Sequence, residues 1–250
     1  MRIKAVFFDF GGVITETIVA PALEDIVIEF LLKKGINLSR NQCDKIKEIQ
    51  KRQVKYSLTT LIEIPIEELL HDMMNHIGLS VSMKFIAGCV GYFLERVKYE
   101  LRKNVKEVLL ALRKIGLKIG LISNSFTEFP RMIIKKENLY EFFDTIILSK
   151  DVRVRKPHPK IFTEALKRTS VSANEAIFIG DILEVDVWGA KQVGMKAVLI
   201  KSRYNLNKWK NLLKKLTPRP YTKLEPDYTI EDLLEIIDIL ENKDYSINNK

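Results

Sequence analysis

Residues 4–17 read KAVFFDFGGVITET. Four apolar residues, 5–8, run into a single carboxylate, Asp9, which is followed one residue later by Gly11 and Gly12. An apolar run of this kind bounded by turn residues predicts a strand buried on both faces. A buried strand end is a costly place for an unpaired carboxylate, which disfavours reading Asp9 as a mere cap. The glycines let the chain turn tightly and aim its N–H groups at a ligand.

Working outward, similar short β-branched runs recur as KIGLIS (118–123), DTIILS (144–149), AIFIG (176–180) and KAVLI (196–200), with helical patterns between them. NVKEVLLALRKIG (104–116) opens on a capping pattern, Asn104 with Glu107, and stops at Gly116; TIEDLLEIIDIL (229–240) repeats the design with Thr229 as the cap. Strands alternating with helices imply a parallel sheet covered on both faces. The interval 17–97 departs from this, being far too long for a crossover and holding no convincing strand. It carries four amphipathic patterns instead: LEDIVIEFLLKKG (23–35), SRNQCDKIKEIQKRQVKY (39–56) with Ser39 and Gln42 as a capping box, PIEELLHDMMNHIG (65–78) with Pro65 in the first turn, and SMKFIAGCVGYFLERVKYEL (82–101). The expected organisation is therefore an α/β core over 1–16 and 98–250, interrupted by an all-helical domain over 17–97.

The chain has 250 residues and is 46% hydrophobic, enough for a packed core. No apolar run reaches the roughly 18 residues of a membrane span, and the N-terminus has no signal-peptide pattern; a soluble cytoplasmic protein with no membrane partner is expected. Cys43 and Cys89 are expected to be reduced and uninvolved, and three histidines make a zinc site improbable. The net charge of +9 would suit a nucleic-acid partner. The basic residues are spread along the chain, however, so no nucleic-acid partner is expected, and the Lys-, Glu- and Ile-rich composition points to a thermophile. The densest basic stretch, 202–223, is expected to be an exposed loop or short helix, and the polar tail 241–250 to fray.

In an open parallel sheet, ligands bind beyond the carboxyl ends of the strands. Residues there are Asp9, then Ser123 and Asn124, then Asp181 with Asp186 five positions on; VRVRKPHPKIF places Lys156 just before a helix start. This set suits phosphoryl transfer. A carboxylate can form an aspartyl-phosphate, Mg²⁺ favours oxygen ligands of the kind Asp9 and Asp181 provide, with Asp186 holding a metal-bound water, and Ser123 with Lys156 would hold the phosphoryl oxygens.

The pattern resembles the haloacid dehalogenase (HAD) superfamily along the whole chain, in order: FFDFGGV, LISNS, RKPHPKIF and FIGDILEVDVWGAKQVGM. The resemblance implies a Rossmann-like, doubly wound parallel core with a helical, C1-type cap in the insertion. It implies a Mg²⁺-dependent hydrolase, most simply a phosphatase of small phosphorylated molecules. Asp9 would be the nucleophile; Asp9, the Gly11 carbonyl, Asp181 and Asp186 the metal site; and Phe10, Gly11, Gly12, Ser123, Asn124 and Lys156 the phosphate cradle.

Family phosphatases usually carry a second acid two residues after the nucleophile, where this chain has Gly11. General acid–base help is worth roughly 10²- to 10⁴-fold, so aryl and acyl phosphates, whose leaving groups need little protonation, should suffer least unless Thr15, Glu16 or a cap residue takes over. Two rival readings are a metal-free 2-haloacid dehalogenase using the same aspartate, and a binding or regulatory protein that turns over poorly. The first gives Asp181 and Asp186 little purpose; the second draws on Gly11 alone.

Overall fold

A computed structural model describes residues 2–201 and 224–241; the basic stretch 202–223 and the tail from 242 onward lie outside the described residues. The core is a six-stranded parallel sheet with helices on both faces. In chain order its strands are β1 (Ala5–Phe8), β4 (Lys118–Ser123), β5 (Thr145–Leu148), β6 (Ala176–Gly180), β7 (Lys196–Ile200) and β8 (Tyr228–Ile230). Their spatial order is β5-β4-β1-β6-β7-β8. All five strands expected from the sequence form. β1 is central and fully buried, as its unbroken apolar run requires, with β4 and β6 as its neighbours. That adjacency matters, because the residues ending these three strands converge at one edge.

Two hydrophobic clusters cover the faces. One packs Phe8, Phe10 and Val13 against α5 (Val105–Lys114) and α6 (Phe129–Lys136); the other packs Phe7, Phe178 and Ile122 against α7 (Pro159–Thr169). In α5 the buried residues are Val105, Val108, Leu109 and Leu112, the 3.6-residue stripe legible in the sequence.

Between β2 (Thr15–Val19) and β3 (Lys98–Leu101) lie four helices: α1 (Leu23–Lys33), α2 (Arg40–Thr60), α3 (Ile66–His76) and α4 (Met83–Leu94). They share a hydrophobic core of their own, including Phe30, Leu70, Met73, Met74 and Ile86. The Ser39–Gln42 capping box forms as expected.

Four local expectations are corrected. The end of the fourth helical pattern, KYEL, is strand β3, which pairs antiparallel with β2, so the two crossings form a ribbon. Thr229 is not a helix cap: tertiary pairing with β7 draws Tyr228–Ile230 into the sheet, and the helix begins at Glu235, whose Oε1 accepts from the amides of Glu231 and Asp232. Asn104 precedes α5 in a left-handed conformation with no side-chain cap bond. Pro65 stands one residue before α3, at its N-cap. No described helix is long and apolar enough to cross a membrane. Cys43 and Cys89 are free, and burial pushes the Cys89 thiol up to about 12.

Candidate active site

Asp9 leaves β1 with its Oδ1 accepting from its neighbour's amide, Phe10 N, at 2.6 Å. Phe10 turns its ring into the core, edge-on to Phe129 at 6.1 Å. Its amide therefore faces the Asp9 carboxylate. The carbonyl of Phe10 accepts from Ile14 N and Thr15 N, both at 2.9 Å, and from Thr15 Oγ1 at 3.2 Å, which closes the turn. Gly12 sits in it at φ +76°, and a Cβ there would fall 2.4 Å from Asp181 Oδ2. Only glycine meets both constraints.

Asp181 follows β6, and the next residues wind into a π-helical turn, Leu183–Val187, that swings Asp186 back beneath the strand end. Asp186 is fully buried, and its Oδ2 accepts from Asp181 N at 3.1 Å and Ile182 N at 3.0 Å. Asp186 is thus both a cap and the ionic partner of Lys156. Lys156 Nζ lies 2.7 Å from Asp186 Oδ1 and 2.9 Å from Asp9 Oδ1. Burial works against its charge, but Asp186 and then Asp9 outweigh that and hold the ammonium above its ordinary value. Burial raises the Asp9 carboxyl to about 6, with Lys156 pulling the other way.

Asp9, Asp181 and Asp186 each offer an oxygen within 4.8 Å of the others, and all three are buried. Asp9 and Asp186 share the one ammonium of Lys156. An excess of buried negative charge calls for a cation, and an all-oxygen donor set suits a hard ion such as Mg²⁺. The residues present fit that group.

A cavity of about 360 Å³ opens over this cluster, lined at its base by Asp9, Gly11, Gly12, Ser123, Asn124, Lys156 and Asp181. The structure thus brings every strand-end residue singled out in the sequence to one place, with Asp186 directly behind. Asn124 has a further task, because its Oδ1 accepts from Lys156 N at 2.7 Å and its Nδ2 donates to Lys156 O at 3.1 Å. Thr15 and Glu16 are absent from the cavity lining, and among the described lining residues no carboxylic acid stands in for the one missing at Gly11.

Two residues were missed in the sequence. Arg102, at the end of β3, is buried and donates from Nη2 to the Gly12 carbonyl at 2.6 Å, bracing the turn from behind; nothing in its sequence context signals this. Arg155 lines the cavity and pairs with Glu63 of the α2–α3 loop at 2.6 Å; its place beside Lys156 was the available clue. Phe93, from the helical unit, also lines the cavity, whereas Met73 and Met74 are bundle core.

Comparison with known proteins gives a family and a fold. The model of haloacid dehalogenase-like hydrolases matches residues 3–194. A Pyrococcus abyssi protein named glyceraldehyde 3-phosphate phosphatase is 31% identical over 80% of this chain and 82% of its own. The crystal structure of a HAD phosphatase from Thermococcus onnurineus is 26% identical, superposes with a TM-score of 0.58, and covers 96% of this chain and 98% of its own. A 2-haloacid dehalogenase from Pseudomonas syringae, 22% identical at TM-score 0.67 over 96% of this chain and 98% of its own, shares the fold.

Proposed function

The chain belongs to the haloacid dehalogenase-like hydrolases, and on that premise we propose that it is a Mg²⁺-dependent phosphatase of small phosphate monoesters working through an aspartyl-phosphate. The observation that carries this reading is Lys156, whose ammonium sits between Asp9 and Asp186 beside a third buried carboxylate, Asp181. The name of the Pyrococcus abyssi relative supports a small phosphorylated substrate.

Asp9 attacks phosphorus: its carboxylate oxygen bonds to P as the P–O ester bond breaks, and the departing oxygen takes its proton from water, since Gly11 offers none. Water then attacks the aspartyl-phosphate, releasing inorganic phosphate and restoring Asp9. Lys156 and Ser123 hold the transferring oxygens, with the backbone amides of Gly11 and Gly12. Asn124 fixes the main chain of Lys156. Asp181, Asp186, Asp9 and the Gly11 carbonyl would hold Mg²⁺, which offsets the repulsion between an anionic nucleophile and an anionic ester. We read residues 17–97 as a cap: its Leu58 and Phe93 line the same cavity as Ser123 and Lys156, and closure about the β2–β3 ribbon would exclude water.

Phosphate release from a monoester panel, with Mg²⁺ and after chelation, tests the reading; halide release from a 2-halo acid insensitive to chelation would favour the dehalogenase instead. Gly11, with no replacement acid in the described lining, favours as second reading a chain that binds Mg²⁺ and phosphate but turns over slowly. That chain would bind a phosphate-mimicking fluoride with Mg²⁺ and hydrolyse no ester.

A further inference from the structure

Arg155 and Lys156 are the two cations lining the cavity among the described residues. Lys156 is committed to Asp9 and Asp186. Arg155 is held differently. Residues 61–63 run antiparallel against 153–155, with an isolated bridge between Ile62 and Val154, Glu63 N donating to Arg153 O at 3.1 Å and Arg155 N to Leu61 O at 2.8 Å. This pairing places the guanidinium against Glu63, whose side chain is only 3% exposed and whose Oε2 accepts from Arg155 Nη1 and Ser149 Oγ, both at 2.6 Å. Among the described residues, that is the single side-chain hydrogen bond of Arg155. The rest of its planar fork remains as donors at the cavity wall.

The charge and the hydrogen-bonding capacity of Arg155 are thereby separated. Glu63 cancels the charge locally, while the remaining N–H groups stay available. The other walls are mostly apolar, with Ile18, Leu58, Phe93, Phe126 and Phe129, and Ser125 and Thr127 add hydroxyls but no positive charge for a second anion. We propose that Arg155, neutralised by Glu63, is the specificity-determining residue of the cavity. It accepts small phosphate monoesters whose far end carries an uncharged hydroxyl or carbonyl oxygen, and it discriminates against those ending in a carboxylate or second phosphate. The reason is desolvation: a second anion loses its water on entry and meets no net positive charge in return. The inference rests on the phosphatase reading and deepens it.

The test compares kcat/KM for neutral-tailed substrates (glyceraldehyde 3-phosphate, glycerol 3-phosphate) with anionic-tailed ones (phosphoglycolate, 3-phosphoglycerate), using p-nitrophenyl phosphate as a reference, in the wild type, Glu63→Gln and Arg155→Lys. Glu63→Gln leaves the guanidinium charge uncompensated, so the neutral-to-anionic preference should fall at least about tenfold, one ion pair's worth of discrimination. Arg155→Lys removes the fork, so KM should rise more for the neutral-tailed pair than for p-nitrophenyl phosphate. An unchanged preference in both variants, with p-nitrophenyl phosphate still hydrolysed, overturns the inference and leaves the phosphatase reading standing. Loss of all substrates together, or of the fold, makes Glu63–Arg155 a structural tie between the helical unit and the core and overturns it as well. A wild type that hydrolyses no ester, p-nitrophenyl phosphate included, removes the phosphatase reading itself and this inference with it.

Discussion

The side chain of Asn124 grips the main chain of Lys156 at two points, accepting from its amide at 2.7 Å and donating to its carbonyl at 3.1 Å. This joins the end of β4 to the loop that delivers the ammonium to Asp9. A misplacement of about 1 Å at a reacting centre can cost about 10²-fold. Asn124→Leu, which keeps the volume and removes both bonds, should therefore lower kcat on p-nitrophenyl phosphate by about 10²-fold with a smaller change in KM. Steady-state kinetics check this; an unchanged kcat would mean that Lys156 is placed without Asn124.

The buried trio of Asp9, Asp181 and Asp186 predicts cation-linked stability. A ligand at about 100 times its dissociation constant stabilises the fold by about 2.7 kcal/mol. Mg²⁺ should raise Tm in the wild type, and Asp181→Asn should abolish most of the shift. Thermal melts with Mg²⁺ and with chelator read this directly, and equal shifts in both proteins would place the cation elsewhere.

Gly12→Ala brings two faults together, a methyl group at φ +76° and a Cβ 2.4 Å from Asp181 Oδ2. Backbone strain alone costs on the order of 1–3 kcal/mol, and Asp181 must also move. Denaturant unfolding should show that loss of stability, and the Mg²⁺-induced shift in Tm should shrink. A variant with wild-type stability and an intact shift would show the turn to be more tolerant than its geometry.

Gly11 behaves otherwise. A Cβ there meets only Ile18 Cδ1 at 3.5 Å, an ordinary contact, so the pocket accepts a side chain where family phosphatases carry their acid. Gly11→Asp should raise kcat on glycerol 3-phosphate, whose leaving group needs a proton, by about tenfold or more within the range of general acid catalysis. It should gain far less on p-nitrophenyl phosphate. Equal gains on both esters would mean that protonation of the leaving group is not what the wild type lacks.

Much of this was legible in the sequence for specific reasons. Ala5–Phe8, Ile119–Ile122 and Ala176–Ile179 are apolar without a break because they form the buried centre of a parallel sheet, and a polar residue directly after such a run is conspicuous. Ser39 and Gln42 signalled a helix start through local chemistry that needs no tertiary partner. The misses share a cause: Lys98–Leu101 and Tyr228–Ile230 became strands through pairing with β2 and β7, which no local window contains. Glu63 and Arg102 act across separations of roughly 90 positions. Their partners, Arg155 and Gly12, lie outside any local window around them.

The central claim is that Asp9 is the nucleophile of a Mg²⁺-dependent phosphatase, and phosphate release by wild type and Asp9→Asn, each with Mg²⁺ and with chelator, tests it most directly. The account predicts release by the wild type only with Mg²⁺, and a loss of about 10³-fold or more in a folded Asp9→Asn, in keeping with removal of a covalent nucleophile. Phosphate release that survives Asp9→Asn at a comparable rate would contradict it.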